Sequence, residues 1–419
     1  MHGAAVTCLS RWLVIALLCI ALLASCARQD ATPLRIGVVH ALTGTMAANE
    51  APLVEAVRMA VDEINAEGGL LGRRVDVVVA DSASDSLRAA KEASRLITQE
   101  KVDVLFACWT SQCRKTVKPV VELNRHLMFY PVQYEGLEQS PNIVYTGATA
   151  NQQIIPGAHW ALKNLAGQSG KTRRVFLVGS DYVFPRVANQ IIWDVVQANQ
   201  AEVVGELYRP LGSNDFAAVA EAIRVAQPDV VLNTVNGDSN VALFHALQQA
   251  GLSRVPVVSF SVDASGLASL AAFGHASHYA VWGYFQDLPG EANQRFVRAW
   301  QARKGASTPT SDPIEAAYVG VKLWAQAVTS AGSADLDVVN LAVARQSVAA
   351  PSGILAMDAA TRHLWKPLHV GKARDQGGFE IVFDLGERLK PAPFPDYRTR
   401  DEWRAVAEKA AIPIASVAQ

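Results

Sequence analysis

Buried-strand patterns alternate with helix patterns along most of this chain, in two successive series. The first series opens with the apolar strand Leu34–His40, followed by a helical pattern over residues 52–67 that Gly68 and Gly69 end. The second series begins near residue 151. Strands separated by helices of this length predict parallel sheets covered on both faces. Two such series predict an α/β protein of two doubly wound lobes, and 419 residues suffice for two cores.

Charge and cysteine content narrow the partners and the compartment. Lys+Arg and Asp+Glu nearly cancel at 38 and 39, so the basic stripe of a nucleic-acid binder is not expected. Cys108 ends a predicted strand and Cys113 lies inside the next predicted helix, so their spacing alone leaves the Cα separation open. A disulfide is chemically allowed in an oxidising compartment. We expect two buried free thiols.

The start of the chain has the pattern of a lipoprotein signal. Arg11 precedes an apolar run over residues 12–23, followed by two small residues and Cys26. The run is short for a membrane span but fits the core of a secretion signal. The Leu-Ala-Ser-Cys segment ending at Cys26 resembles the bacterial lipobox, in which the signal is cut before a lipidated cysteine. An ordinary signal cut nearby is the alternative. We expect a signal over 1–25, a lipid anchor at Cys26 and a linker over 26–33.

The loops after the predicted strands carry the candidate binding chemistry. In open parallel sheets, ligands sit beyond the carboxyl ends of the strands. Aromatic, hydroxyl and carboxylate side chains recur there, and they would face one another if two lobes closed over a cleft. These loops are residues 40–46, 108–111, 130–135, 180–184 and 236–239.

Six segments resemble, in the family's order, the type I periplasmic binding proteins, specifically the branch that serves bacterial urea and short-chain amide ABC transporters. They are 40–46 (His-Ala-Leu-Thr-Gly-Thr-Met), 107–115 (Ala-Cys-Trp-Thr-Ser-Gln-Cys-Arg-Lys), 129–136 (Phe-Tyr-Pro-Val-Gln-Tyr-Glu-Gly), 179–186 (Gly-Ser-Asp-Tyr-Val-Phe-Pro-Arg), 233–240 (Asn-Thr-Val-Asn-Gly-Asp-Ser-Asn) and 363–367 (His-Leu-Trp-Lys-Pro). The resemblance implies two lobes joined by three crossovers. Lobe 1 would hold 34–153 plus about 283–350, lobe 2 would hold 154–282 plus about 351–400, and 401–419 would form a C-terminal tail.

The resemblance also implies a set of ligand contacts. They are Trp109, Thr110 and Ser111 after the third strand, Tyr130 after the fourth, and Tyr182 and Asp238 on the facing lobe. Thr110 and Ser111 begin a helix, so capping and ligand binding are both expected of them. Trp109 and Tyr130 would stack on a flat solute, the alternative being core aromatics. We expect Trp109→Ala to weaken binding far more than stability.

Other residues leave alternatives open. Hinge packing is the alternative role of Tyr182, and helix capping that of Asp238. Further carboxylate candidates for ligand N–H groups are Asp181, Glu135 and Asp263. The chain departs from the usual urea-binding pattern at 261–266 and at Cys113, which leaves urea and a short-chain amide both open.

The function implied by the resemblance is capture of urea in an interlobe cleft and its delivery to an ABC permease in the inner membrane. A short-chain amide binder, as transporter component or cytoplasmic sensor, is the alternative, and the secretion signal argues against the sensor. An enzyme on the same scaffold is a third reading. No nucleophile lies beside an evident base, and His275 and His278 have no third ligand cluster. We therefore expect no catalysis, no metal site and no cofactor.

Overall fold

The computed structural model describes residues 32–166, 173–270, 277–375 and 377–411. The expected signal, the anchor at Cys26 and most of the linker lie outside the described residues. Among the described helices, none combines the length and the apolar character needed to cross a bilayer.

The first lobe opens with five parallel strands and three helices. They are β1 (Leu34–His40), α1 (Ala47–Ala66), β2 (Val75–Asp81), α2 (Ser86–Thr98), β3 (Val104–Ala107), α3 (Ser111–Leu123), β4 (Met128–Tyr130) and β5 (Ile143–Tyr145). The apolar strands β3, β4 and β5 are buried throughout, because helices cover both faces of the sheet.

The second lobe repeats this arrangement after a short 3-10 turn at Ala150–Gln152. Its elements are α4 (Ile154–Asn164), β6 (Arg174–Ser180), α5 (Val183–Ala198), β7 (Glu202–Arg209), α6 (Ala217–Ala226), β8 (Val230–Thr234), α7 (Ser239–Gln249), β9 (Val257–Ser259), α8 (Ala264–Ser269) and β10 (His278–Trp282). Separate apolar clusters fill the two lobes, so each has its own core.

The last third of the chain contributes to both lobes. Its elements are α9 (Glu291–Lys304), α10 (Asp312–Ala331), α11 (Leu336–Val343), β11 (Ser347–Ala350), β12 (Gly353–Asp358), β13 (His363–Leu364), β14 (His369–Ala373), β15 (Phe379–Asp384) and α12 (Arg400–Ala411). The strand orders are β11-β12-β13-β5-β4-β3-β1-β2 in the first sheet and β15-β14-β10-β9-β8-β6-β7 in the second. The fold is therefore the expected pair of α/β lobes.

The expected lobe boundary near residue 350 is wrong. Strands β12 and β13 still belong to the first sheet, where β13 pairs with β5 through His363 and Tyr145. The chain returns to the second lobe only at β14, which pairs antiparallel with β10. Hydrogen bonding between such short strands is decided by tertiary neighbours, so the sequence pattern did not reveal which sheet they join.

The described part of the expected C-terminal tail, residues 401–411, packs on the second lobe. Trp403 on α12 is fully buried, and its indole N–H donates to the carbonyl of Pro395 at 2.7 Å. Arg398, just before this helix, forms a bidentate ion pair with Asp194 of α5. These contacts fix the described part of the tail to the second lobe.

Three crossovers join the lobes, between β5 and α4, between β10 and α9, and between β13 and β14. Lys366 of the third crossover is fully buried. Its Nζ donates to Asp312 Oδ1 at 3.1 Å and to the carbonyl of Thr146 in the first crossover at 3.3 Å. One ammonium group therefore ties two crossovers to the start of α10.

Candidate functional site

The strand orders locate the candidate site. Within each sheet the first five strands run in the order 2-1-3-4-5, so the winding direction reverses between β1 and β3 and between β6 and β8. Ligands of open α/β sheets bind at such switch points, beyond the carboxyl ends of the strands. The loops that follow these strands in the two lobes face each other across an interlobe cleft.

A cavity of about 210 Å³ lies in this cleft. Its walls are formed by Met46, Glu50, Ser82, Ser84, Asp85, Ser86, Thr110, Gln112 and Cys113 of the first lobe and by Tyr182 and Leu211 of the second. The lining is rich in hydroxyl and carboxylate oxygens. None of the described residues that line it is a lysine or an arginine.

Two of the expected contact residues line the cavity. Thr110 is the N-cap of α3, and its Oγ1 accepts from the backbone N–H of Cys113 at 3.1 Å. Tyr182 precedes α5 and reaches the cavity from the second lobe. Burial raises the pKa of Tyr182 well above its usual range, with nearby Tyr130 and the Glu135 and Glu50 carboxylates acting in the same direction. Tyr182 therefore stays a neutral phenol.

Ser111 and Tyr130 lie behind the cavity wall, around a buried guanidinium. Arg114 is fully buried and donates to Glu135 at 2.9 Å, to Glu138 at 3.1 Å and to the Ser111 hydroxyl at 2.9 Å. Ser111 in turn donates to Glu135. The Arg114 guanidinium lies 4.8 Å from the ring centre of Tyr130. The structure thus places Tyr130 as a core aromatic, and the Ser111 hydroxyl is bonded within this cluster.

The charge balance of this cluster favours its ionised form. Burial alone would raise the pKa of Glu138, but the positive charges of Arg114 and Lys115 outweigh it and lower the pKa to about 2. Arg114 belongs to a segment that carries the sequence resemblance, but the sequence does not indicate its role in the buried cluster. A buried arginine needs carboxylate partners, and those partners lie more than 20 residues away in sequence.

Trp109 and Asp238 connect the lobes outside the cavity wall. The Trp109 indole N–H donates to Asn236 Oδ1 of the second lobe at 3.3 Å, and its carbonyl accepts from Tyr130. The Asp238 carboxylate makes no capping bond to α7 and instead accepts from the Thr45 hydroxyl of the first lobe. Trp109 is only 2% exposed. Its replacement by Ala is therefore expected to cost stability as well as binding, contrary to the sequence-based expectation.

The other carboxylate candidates have protein partners. Asp181 pairs with Arg186, and Glu135 is held by Arg114. Asp263 caps α8 by accepting from the N–H of Gly266 at 2.8 Å. Among these three and Asp238, none lines the cavity of the cleft.

Cys108 and Cys113 form a disulfide, so the expectation of two free thiols is wrong. Cys108 adopts a left-handed conformation with φ of 71°. This turns the chain after β3 so that the first turn of α3 brings the two Cα atoms to 5.5 Å, a usual separation for a bridge. Cys113 also lines the cavity, so the bridge forms part of its wall.

Glu50 is a site residue that no sequence pattern indicates. Glu50 lies in the first turn of α1, is 4% exposed and lines the cavity. Its Oε2 accepts from the N–H of Ala41 at 3.0 Å and lies 2.8 Å from His40 Nδ1. His40 lies in a loop segment that carries the family resemblance, but a single glutamate ten residues later follows no motif spacing. No group of three metal-ligating side chains occurs among the described residues.

Comparison with protein families gives one match over most of the chain. Residues 34–400 match the model described as a periplasmic binding protein domain. A protein named Leu/Ile/Val-binding protein homolog 8 from Brucella suis is 25% identical over 354 residues, covering 80% of this chain and 86% of that protein. Leu/Ile/Val-binding protein BraC3 from Rhizobium johnstonii is 28% identical over 203 residues, covering 47% and 53%.

Solved structures share the fold at low sequence identity. An ABC transporter solute-binding protein from Rhodopseudomonas palustris, in complex with 3,4-dihydroxybenzoic acid, superposes with a TM-score of 0.76 at 22% identity, covering 86% of this chain and 98% of that one. The branched-chain amino acid transporter substrate-binding protein of Streptococcus pneumoniae, in complex with isoleucine, superposes with a TM-score of 0.73 at 18% identity, covering 86% and 100%. The ligands of these two proteins are acids, unlike urea or an amide.

Proposed function

Because this chain belongs to the periplasmic binding protein family, whose model matches residues 34–400, we propose that it captures a small uncharged solute between its lobes and delivers it to an ABC permease. Urea is the leading ligand, and a short-chain amide is the alternative. The leader and Cys26 add the proposal that the protein is a lipid-anchored component outside the cytoplasm. No chemical step on the solute is part of this proposal.

The observation that carries the proposal is the chemistry of the cavity lining. Urea has four N–H donors and one carbonyl, and each donor left unpaired in a closed site costs about 1–3 kcal/mol. The cavity offers the oxygens of Glu50, Asp85 and several hydroxyls as acceptors. The phenol of Tyr182 and the hydroxyl of Thr110 are suited to serve the carbonyl.

The size and charge of the cavity support a small neutral solute. Its volume of about 210 Å³ is below the roughly 300–1,000 Å³ of pockets that hold drug-sized ligands. A ligand carboxylate about 4 Å from the Glu50 carboxylate would be repelled by about 4 kcal/mol at an effective dielectric constant near 20. With no lysine or arginine among the described residues that line the cavity, benzoates are poor candidates.

A thermal-shift panel followed by titration calorimetry tests the proposal. We expect urea, formamide or acetamide to raise the melting temperature, since a ligand of the folded state stabilises it by mass action. Leucine, isoleucine and 4-hydroxybenzoate test the ligand classes of the relatives. A protein that responds to leucine or 4-hydroxybenzoate and to none of the three amides would contradict the proposed ligand class.

A further inference from the structure

Glu50 presents one carboxylate oxygen to the cavity while the other is held by the protein. Oε2 is fixed by the Ala41 N–H and by His40 at the end of β1. The hydrogen bonds that Glu50 makes within the described part of the chain both go to Oε2. The side chain is 4% exposed and lines the cavity. Oε1 is therefore left as a free acceptor on a side chain that lines the cavity.

Part of the cavity wall comes from the other lobe. Tyr182 of the second lobe lines the same cavity as Glu50. The phenol can donate to a carbonyl oxygen, whereas Oε1 can only accept. A ligand between the two would meet an acceptor on one side and a donor on the other, which is the polarity of a primary amide.

We infer that Glu50 is the specificity-determining residue of this site, accepting an N–H of the solute and excluding carboxylates of the same shape. The inference rests on the proposed function and narrows it to ligands with an amide NH₂ group. A carboxylate ligand would place two negative oxygens against Oε1, with no lysine or arginine in the described lining to offset them. An amide of equal size would donate one hydrogen bond instead.

Acetamide and acetate are the probes, because they have nearly the same shape and differ in the group facing Glu50. Wild-type protein is expected to bind acetamide and to show no measurable acetate binding by titration calorimetry. Glu50→Gln keeps an oxygen for Ala41 and His40 but turns an NH₂ group toward the cavity. We expect acetamide affinity to fall about 10- to 100-fold, and acetate affinity to rise from its undetectable level.

Glu63→Gln is the matched control. Glu63 lies on the same helix α1, and its carboxylate accepts from Tyr318 at 2.7 Å and pairs with Lys322, away from the cavity. The acetamide affinity of Glu63→Gln should equal that of the wild type. If Glu50→Gln fails to fold, Glu50→Asp replaces it, because the shorter side chain withdraws Oε1 while keeping the charge, and acetamide affinity should again fall.

The outcomes separate the two proposals. Amide binding by the wild type with an unchanged acetamide-to-acetate preference in Glu50→Gln overturns the role of Glu50 and leaves the proposed function standing. A wild-type protein that binds no amide overturns both. A loss of acetamide affinity that Glu63→Gln shares to the same degree also overturns the role of Glu50, because the loss would then come from a change in helix α1 as a whole and not from Oε1.

Discussion

At the scale of single residues, Glu315 is an acidic side chain without water contact. It lies in the first turn of α10, is fully buried, and accepts from the N–H of Ser352 at 2.8 Å. Its Oε2 has no hydrogen-bond partner among the described residues. Burial raises the pKa of Glu315 from 4.5 to about 7, although the charge of Lys366 opposes the shift.

This pKa makes stability depend on pH in a defined direction. The folded state holds the Glu315 proton more tightly than the unfolded state does. Protonated Glu315 therefore contributes its full share of the free energy of unfolding below pH 4.5, and this contribution is lost as pH rises to about 7. The loss is about 3 kcal/mol. Glu315→Gln should abolish this loss. Calorimetric unfolding at pH 5 and pH 8 should therefore show the free energy of unfolding of the variant rising relative to that of the wild type as pH rises.

The comparison between variant and wild type isolates Glu315 from other titrating groups. Burial lowers the pKa of His126 and His369, and lowers that of His363 to about 3. These groups destabilise the fold as pH falls below about 6.5, opposite to Glu315. They are common to both proteins. Parallel stability curves for variant and wild type would show that Glu315 is already ionised at pH 5 in the fold.

At the scale of elements, the sequence predicted what local pattern controls. Strand β1 has the expected bounds, and α3 begins at the expected Ser111 with Thr110 as its cap. The cap was predictable because a hydroxyl before a helical pattern serves the free N–H groups. The two-residue strand β13 and the buried Arg114 cluster were not, because both depend on segments far away in the chain.

The loop between β3 and α3 shows the same limit of prediction from local sequence patterns. The Cys108–Cys113 bridge depends on a left-handed residue that is not a glycine, which sequence patterns do not reveal. In protein lacking residues 1–26, a Cys108→Ser/Cys113→Ser variant should lose about 2 kcal/mol of unfolding free energy, from closure of a short loop. Thermal unfolding measures the loss.

A thiol assay distinguishes a disulfide between Cys108 and Cys113 from two free thiols. Denatured wild-type protein lacking residues 1–26 should react with no equivalent of a thiol reagent before reduction and with two equivalents after it. The reduced wild type should then melt near the double variant. Two reactive thiols without reductant would restore the free-thiol expectation.

At the scale of the whole molecule, the contacts between the lobes include the crossovers and side-chain bridges across the cleft. The crossovers form a permanent hinge around buried Lys366. The cleft is bridged by polar contacts between side chains, Trp109 with Asn236 and Thr45 with Asp238. Gly237 allows the second, because a Cβ there would lie 3.2 Å from the Thr45 carbonyl and 3.1 Å from the Met46 sulfur. Hinge closure around a ligand would make and break the cleft contacts.

The bond between Thr45 and Asp238 therefore offers a test of closure separate from ligand contact. Neither Thr45 nor Asp238 lines the cavity. Thr45→Val removes a hydrogen bond that exists only when the lobes are together, so it should lower ligand affinity about three- to tenfold with an unchanged melting temperature of the free protein.

Thr43→Val is the control, because the Thr43 hydroxyl donates to Asp81 within the first lobe at 2.8 Å. Titration with the amide that binds the wild type, and small-angle scattering of the loaded variants, measure affinity and closure. Equal affinities of the two variants would mean that this contact does not contribute to closure.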